Sequence, residues 1–247
     1  MPINPPQTYT AAQVREAEVP FLERGVPLMQ RAAAALAHEA GVLLEARRGG
    51  VAGARVLVLA GSGNNGADAL YAAEALADHG ALLCILPTSK RLHREALEAA
   101  LARGADLRAG DEPAEVIAGL AAAADLILDG ILGTGTSAAP ALRGAARSTV
   151  AAIRPVLSGE HPPLVVAVDL PSGVGVDDGS VPDPTVLPAD LTVTFGGCKA
   201  GLLTRPAAGY AGRVVVADIG IGAELERIRR RDLADGAGRR PPGQRHL

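Results

Sequence analysis

The chain has 247 residues, 48% of them hydrophobic but only 2% aromatic, and a formal net charge of −3. That length and apolar content suffice for one well-filled core, built from Ala, Val, Leu and Ile rather than from rings. The slight negative charge gives no reason to expect nucleic acid or an anionic membrane as a partner.

Residues 1–5 carry no basic stretch leading into an apolar one. No apolar run reaches the ~18 residues of a membrane span, so the sequence predicts a soluble, cytoplasmic protein. Thr10 opens a helical pattern over 10–24. A longer one covers 28–47, where Leu28, Met29, Ala32, Leu36, Ala40 and Leu43 recur at helical spacing. Beyond it, predicted strands at 55–60, 81–86, 125–129 and 164–169 alternate with predicted helices at 67–79, 91–102, 113–123 and 143–157. Two more strands, 190–195 and 213–217, follow with little helix between them. This alternation predicts an α/β fold: a Rossmann-like three-layer α/β/α sandwich with a mostly parallel sheet, behind an N-terminal helical extension. Connections should be right-handed, with ligands at the carboxyl ends of the strands. Residues 1–222 read as a single domain. Residues 223–247, with Arg229-Arg230-Arg231 and a Gly-Pro ending, read as a basic, flexible tail or linker stub. Cys84 and Cys198 are expected as free, buried thiols in a reducing compartment.

Three of the predicted strands finish in polar, glycine-containing sequence. The first runs into Gly61-Ser62-Gly63-Asn64-Asn65-Gly66-Ala67-Asp68 and then a helix. A helix N-terminus after such a turn offers unpaired amides and the positive end of the macrodipole to phosphate. Two adjacent amides and a carboxylate exceed what phosphate alone requires. Gly61-x-Gly63-x-x-Gly66 also fits the dinucleotide fingerprint, which expects an acidic residue after the second strand. Thr88-Ser89-Lys90 stands there instead, although Lys90 or Arg91 could serve a 2′-phosphate. The second ending carries Asp129 into Gly130-Ile131-Leu132-Gly133-Thr134-Gly135, and the third carries Asp169 into Leu170-Pro171-Ser172-Gly173. Acidic residues at buried strand ends are costly unless paired, hydrogen-bonded or bound to a cation.

Each motif alone has an ordinary reading. Asp68 could serve the helix start, Ser172 a turn, Asp169 an Asx-type turn and Asp129 a strand-end cap. Their joint occurrence at one rim is what points to a site. Other chemistries drop out: no Gly-x-x-x-x-Gly-Lys-Ser/Thr is present, and Leu170 stands where a serine-hydrolase elbow needs glycine. His38, His79, His93, His161 and His246 lack zinc-ligand spacing, and His161 reads as a solvated loop residue. Hard oxygen donors suit a group I or II cation, with amides and hydroxyls favouring a monovalent one.

Taken together, Gly63-Asn64-Asn65-Gly66-x-Asp68, Asp129-x-x-x-Gly133-Thr134-Gly135, Asp169-x-Pro171-Ser172-Gly173 and Ala189-Asp190-Leu191-Thr192-Val193-Thr194-Phe195 resemble the NAD(P)H-hydrate epimerase, or YjeF N-terminal-domain, family. The 13–33 stretch and the Gly209–Gly220 run are also similar, so the resemblance spans roughly residues 10–222. It implies interconversion of the R and S forms of hydrated NADH and NADPH, which carry a hydroxyl at C6 of the reduced nicotinamide. It also implies one potassium ion per subunit, a homodimer and functional coupling to an NAD(P)H-hydrate dehydratase. Carried onto this chain, the resemblance assigns substrate contacts to Asn64, Asn65, Gly66, Ala67, Asp68, Gly133, Thr134, Gly135, Thr136, Ser137, Ala138, Ala139 and Asp169. It assigns potassium ligands to Asn65, Asp129 and Ser172. Family members usually have glycine where Ala67 and Ala69 stand, and often glutamate at Gln30. A left-handed backbone at Ala67 would cost roughly 1–2 kcal/mol.

Inverting the carbinolamine-like centre needs hydroxyl departure, a planar cation-like intermediate and return of water to the other face. That calls for a proton donor and acceptor beside C6 and for negative charge near the cation. Asp169 is the candidate, with Asp68 second; Lys199, after Phe195-Gly196-Gly197-Cys198, reads first as a surface lysine and second as lining the site. Two alternatives are a non-catalytic nucleotide-binding module of the same fold and an NAD(P)-dependent oxidoreductase.

Overall fold

The computed structural model describes residues 7–136 and 139–238. In chain order the elements begin with β1 (Thr8–Tyr9), α1 (Ala11–Leu22), α2 (Leu28–Arg48), β2 (Arg55–Ala60), α3 (Asn64–Asp78), β3 (Leu82–Pro87), α4 (Arg94–Ala102) and β4 (Asp106–Leu107). There follow α5 (Ala114–Ala123), β5 (Leu126–Gly130), α6 (Gly144–Ile153), β6 (Leu164–Val168), β7 (Leu191–Phe195), β8 (Cys198–Lys199), β9 (Arg213–Ala217) and α7 (Gly222–Gly238). Seven strands form one sheet in the order β4-β3-β2-β5-β6-β7-β9, every neighbouring pair parallel.

Period-2 alternation divides the strand side chains between two cores. Val56, Val58, Leu126, Leu128, Val166 and Val168 face Leu36 and Leu44 of α2, Leu70 and Leu76 of α3, and Ala96 of α4. Leu57, Leu59, Ile127 and Val165 face Ile117 of α5 and Val150 and Ile153 of α6. A third cluster, including Leu170, Val174, Val176 and Val186, fills the long excursion between β6 and β7. These are the three layers expected, with α1 and α2 as the N-terminal extension.

Strand order reverses between β2 and β5: the chain moves outward through β3 and β4 on one side and through β6, β7 and β9 on the other. A crevice opens at the carboxyl ends of strands at such a switch point. Two devices bring α1 to that rim. β1 pairs with β8, Tyr9 opposite Lys199, and the Ala11 amide donates to Asp177 Oδ1 at 2.7 Å. Thr10 and Gln13 close a capping box that starts the helix.

The structure corrects two readings. The stretch expected to be a flexible tail from 223 forms α7, and Leu225 and Ile228, both fully buried, join the core. These positions lie three apart on one helical face, hidden in sequence by the surrounding charges. The arginines are paired: Arg227 with Glu224, Arg229 and Arg230 with Glu226, and Arg231 with Glu16 and Asp232. Residues 239–247 lie outside the described residues. The second correction is that α3 begins at Asn64 rather than 67, so Ala67 is helical and incurs no left-handed strain. Ala67 and Ala69 are fully buried in the core. Cys84 and Cys198 are free thiols, the first half-buried in β3 and the second buried in β8.

Candidate active site

A cavity of about 480 Å³ opens at the switch point. One wall is the β2–α3 turn, with Ser62, Gly63, Asn64, Asn65 and Asp68. A second is the β5 turn, with Leu132, Gly133, Thr134 and Gly135. The floor carries Asp169, Phe195 and Lys199, and α1 closes the remaining side with Val14, Arg15, Glu18 and Leu22.

The turn itself depends on two glycines. A Cβ at Gly61 would lie 1.9 Å from the Ile131 carbonyl oxygen, and one at Gly66 would lie 2.2 Å from that of Gly61. Backbone therefore meets backbone at the start of α3, leaving no room for a side chain. The amides of Asn64, Asn65 and Gly66 precede the first helical hydrogen bond, from Ala67 N to Gly63 O at 3.2 Å. They form the anion-receptive end of α3. Across the cavity, Arg15 Nη1 donates to the Thr134 carbonyl at 3.1 Å, adding a cation to the cavity lining at the β5 turn.

Behind this wall Asn65 and Ser172 both bond Leu132, and Asp129 bonds Ser172. Asn65 Nδ2 donates to the Leu132 carbonyl at 3.0 Å. Ser172 Oγ accepts from Leu132 N at 2.9 Å and donates to Leu132 O at 3.2 Å. Asp129 is fully buried; its Oδ2 accepts from Ser172 N at 2.9 Å and its Oδ1 from Ile131 N at 3.5 Å. Burial pushes its carboxyl above the usual range, with hydrogen bonds from Ser172 opposing. Residues 65, 129 and 172, far apart in the chain, thus share one cluster of oxygen donors. Among the described residues no group of three or more His, Cys, Asp or Glu side chains could hold a metal ion.

Asp169 has a left-handed backbone, φ +65°, the one non-glycine residue with positive φ among those described. Such a conformation costs roughly 1–2 kcal/mol and needs compensation. Its Oδ1 accepts from Thr194 Oγ1 at 3.0 Å, Phe195 N at 3.3 Å and Lys199 Nζ at 2.5 Å. Lys199, 1% exposed, also donates to the Phe195 carbonyl at 2.8 Å. The surface reading of Lys199 is therefore corrected, and its alternative, a lysine lining the site, agrees with its place in the cavity floor. β1 pairs with β8 there, and the ammonium bonds the buried carboxylate and carbonyl beside it.

Asp68 is not a cap. It lies a full turn into α3, 8% exposed, and its Oδ1 is buried without a hydrogen-bond partner. Burial, reinforced by the charges of Asp169 and Glu18 and opposed by Lys199, pushes its carboxyl up to about 8. Glu18 on α1 is likewise raised, first by burial and then by Asp169, against the pull of Lys199 and Arg15.

Sequence reasoning missed Glu18, Arg15 and the other α1 residues. Their signal was legible in the spacing: Val14, Glu18 and Leu22 recur every four residues, with Arg15 on the same face. Of the remaining assigned positions, Gly66 and Ala67 are buried and present backbone only, and Thr136 ends the short 3₁₀ turn Thr134–Thr136. Ala139 is exposed and does not line the cavity, while Ser137 and Ala138 lie outside the described residues.

Comparison with known proteins supplies the remaining findings. Residues 25–201 match the family model described as YjeF-related protein N-terminus. A protein of Clavibacter michiganensis subsp. michiganensis named NAD(P)H-hydrate epimerase is 48% identical over 214 residues, covering 86% of this chain and 90% of that one. One of the same name from Microbacterium testaceum is 45% identical, covering 89% and 80%. The bifunctional NAD(P)H-hydrate repair enzyme Nnr of Mycobacterium tuberculosis is 40% identical over 96% of this chain but only 46% of its own length. The crystal structure of yeast ynu0 superposes with a TM-score of 0.68 at 20% identity, covering 85% of this chain and 87% of that one, a likeness of fold.

Proposed function

The chain belongs to the YjeF N-terminal family, and from that premise we propose that it is an isomerase that epimerises hydrated NADH and NADPH at C6 of the nicotinamide ring, in repair of the damaged cofactor. The observation that carries this reading is the convergence of Asp68, Asp169, Asn65 and the Gly133–Gly135 turn on one cavity at the switch point. The α3 amides and Arg15 receive the dinucleotide's phosphates at one end. The apolar side chains of Leu28, Met29, Phe195 and Ile219 line the cavity elsewhere and suit the nicotinamide ring.

In this reading Asp169 sets its negative charge beside C6, where positive charge develops as the hydroxyl leaves. Lys199, Thr194 and the Phe195 amide fix that carboxylate in position. A fixed charge needs no reorganisation at the moment of reaction. The α1 wall limits the water that reaches the cation to what the cavity holds.

Potassium fits the residues present. Asp129 is a buried carboxylate with no cationic side chain bonded to it among the described residues; Ser172 bonds it through its amide, and the Ser172 hydroxyl and the Asn65 side-chain amide both bond Leu132 nearby. Bound there, the ion would offset the charge of Asp129 and lend positive potential to the phosphate end. Asn65, Asp129 and Ser172 would hold it. The same reading includes a homodimer, a cytoplasmic location and coupling to a dehydratase; the last is supported by the bifunctional relatives. Among the described residues no helix is long and apolar enough to cross a membrane.

The test takes one purified epimer of hydrated NADPH and follows the epimer ratio by chromatography, with uncatalysed interconversion subtracted. Acceleration without hydride transfer to intact cofactor is expected. A rate equal to the uncatalysed one would overturn the proposal. Asp169→Asn, folded and still binding substrate, is expected to lose most of the rate.

A further inference from the structure

Inversion at C6 makes a demand that Asp169 alone does not meet. The hydroxyl leaves from one face of the ring and water returns to the other, so protons must be handled on two sides. Asp169 also has little freedom for this work: its Oδ1 already takes three donors, one of them an ammonium at 2.5 Å. Two other carboxyls line the same cavity. Asp68 comes from α3 and has a buried oxygen with no partner; Glu18 comes from α1, a separate wall.

Resting on the epimerase reading above, we propose that Asp68 and Glu18 form the proton-carrying pair, each serving one face of the nicotinamide ring. In one direction Asp68 gives its proton to the C6 hydroxyl. The C–O bond breaks with its electron pair on oxygen, water departs, and the ring nitrogen shares the positive charge with C6. A water on the other face adds its lone pair to C6 and loses a proton to Glu18. The reverse direction begins with the proton on Glu18. Nothing is oxidised or reduced, and one proton enters the substrate as one leaves. Solvent returns the pair to its starting state between turnovers.

The electrostatics agree with this division. Asp68 is faced by Asp169, Glu18 and Lys199, and Glu18 by Asp169, Lys199 and Arg15. Two carboxyls that burial makes reluctant to ionise, and that repel each other when both are charged, favour holding a single proton between them. That is the state from which either direction can start. Asp169, bound to Lys199, keeps the fixed charge beside the cation. The three carboxyls thus have two roles, distinguished by whether a cation holds them.

The experiment is the pH dependence of kcat and kcat/KM for wild type, Asp68→Asn and Glu18→Gln, starting from each epimer separately. Wild type is expected to give a bell, because activity needs one proton on the pair. Each variant is expected to lose 10²–10⁴-fold in kcat, the span of general acid–base catalysis, with KM little changed. From the epimer whose hydroxyl faces Asp68, Asp68→Asn should also lose the alkaline limb and Glu18→Gln the acid limb, and from the other epimer the two should exchange, changes that a merely structural residue would not produce. Asparagine copies the shape of a neutral Asp68, so folding should survive; a melting curve checks it. An Asp68→Asn or Glu18→Gln enzyme with wild-type kcat and both limbs intact overturns the pair while leaving epimerisation standing. An inactive wild type instead overturns the epimerase reading itself.

Discussion

Replacing Lys199 by methionine tests the most consequential contact in the structure. The ammonium is 1% exposed and lies 2.5 Å from Asp169 Oδ1 and 2.8 Å from the Phe195 carbonyl. Methionine fills similar space and removes the charge, leaving a carboxylate that is 7% exposed with only Thr194 and the Phe195 amide to bond. Breaking a buried ion pair by deleting one partner costs about 3–5 kcal/mol. At roughly 2–4 °C per kcal/mol for a chain of this size, the melting temperature should fall by about 6–20 °C. Thermal unfolding followed by circular dichroism measures this, and Asp169→Asn/Lys199→Met controls it. With both charges gone the double variant should recover much of the loss, giving a coupling well beyond the ~0.3–0.5 kcal/mol of independent sites. A single variant within the ±0.5 kcal/mol of ordinary surface substitutions would refute the reasoning, because it would mean the lysine is solvated.

Four further outcomes follow from the same geometry. Asp68 keeps its proton to about 8 in the folded chain, against an ordinary value of 3.8. The folded state therefore binds more protons than the unfolded one across that window, and stability should be greatest at its acid end and fall as pH rises, by up to ~1.4 kcal/mol per pH unit. Melting curves from pH 5 to 9 should show this slope flattened in Asp68→Asn. Gly66→Ala drives a Cβ to 2.2 Å from the Gly61 carbonyl oxygen and should cost at least the ~1–3 kcal/mol of an overpacked core, with loss of dinucleotide affinity in a calorimetric titration. Leu225→Ala, at a fully buried position of α7, should cost ~2–5 kcal/mol in urea unfolding. Potassium at 100 times its dissociation constant should raise stability by about 2.7 kcal/mol over a large organic cation, and Asp129→Asn should abolish the difference.

Much of the fold was legible because strand and helix periods rarely compete here. The β2, β5 and β6 segments are continuous apolar runs ending in Gly or Asp, as strands covered on both faces must be. What escaped were elements whose existence depends on a distant partner. β1 and β8 are two residues each and pair only with one another. The α7 stretch looks like a solvated charge run until Leu225 and Ile228 are set against the core and Arg231 against Glu16 of α1. Site residues divide in the same way. Asn65, Asp129, Asp169 and Ser172 follow strand ends, so topology alone brings them together. Lys199 reaches the cavity through β8, whose pairing with β1 no local pattern announces, and Glu18 through α1, where the spacing shows which residues share a face but not that the face meets the rim.

Asp68 shows how magnitude decides between two readings of one residue. Near a helix N-terminus a carboxylate gains roughly 0.3–1 kcal/mol from the macrodipole, which favours its charged form and an ordinary structural role. Burial acts the other way. The rise from 3.8 to about 8, with the charges of Asp169 and Glu18 adding to burial, corresponds to something on the order of 6 kcal/mol at 1.36 kcal/mol per unit, several times larger. The dipole is therefore left to the amides ahead of Asp68, where it favours a ligand's phosphate, while the side chain one turn further in is driven toward neutrality. One helix thereby offers positive potential at its tip and a transferable proton about 6 Å along its axis, at 1.5 Å per residue from Asn64. A dinucleotide carries its fixed negative charge and its reacting carbon at separate points, and α3 answers both. Exchanging Asn64 and Asp68 would keep the composition and destroy the arrangement, since it would set a carboxylate among the phosphate-binding amides and an amide where the proton is needed.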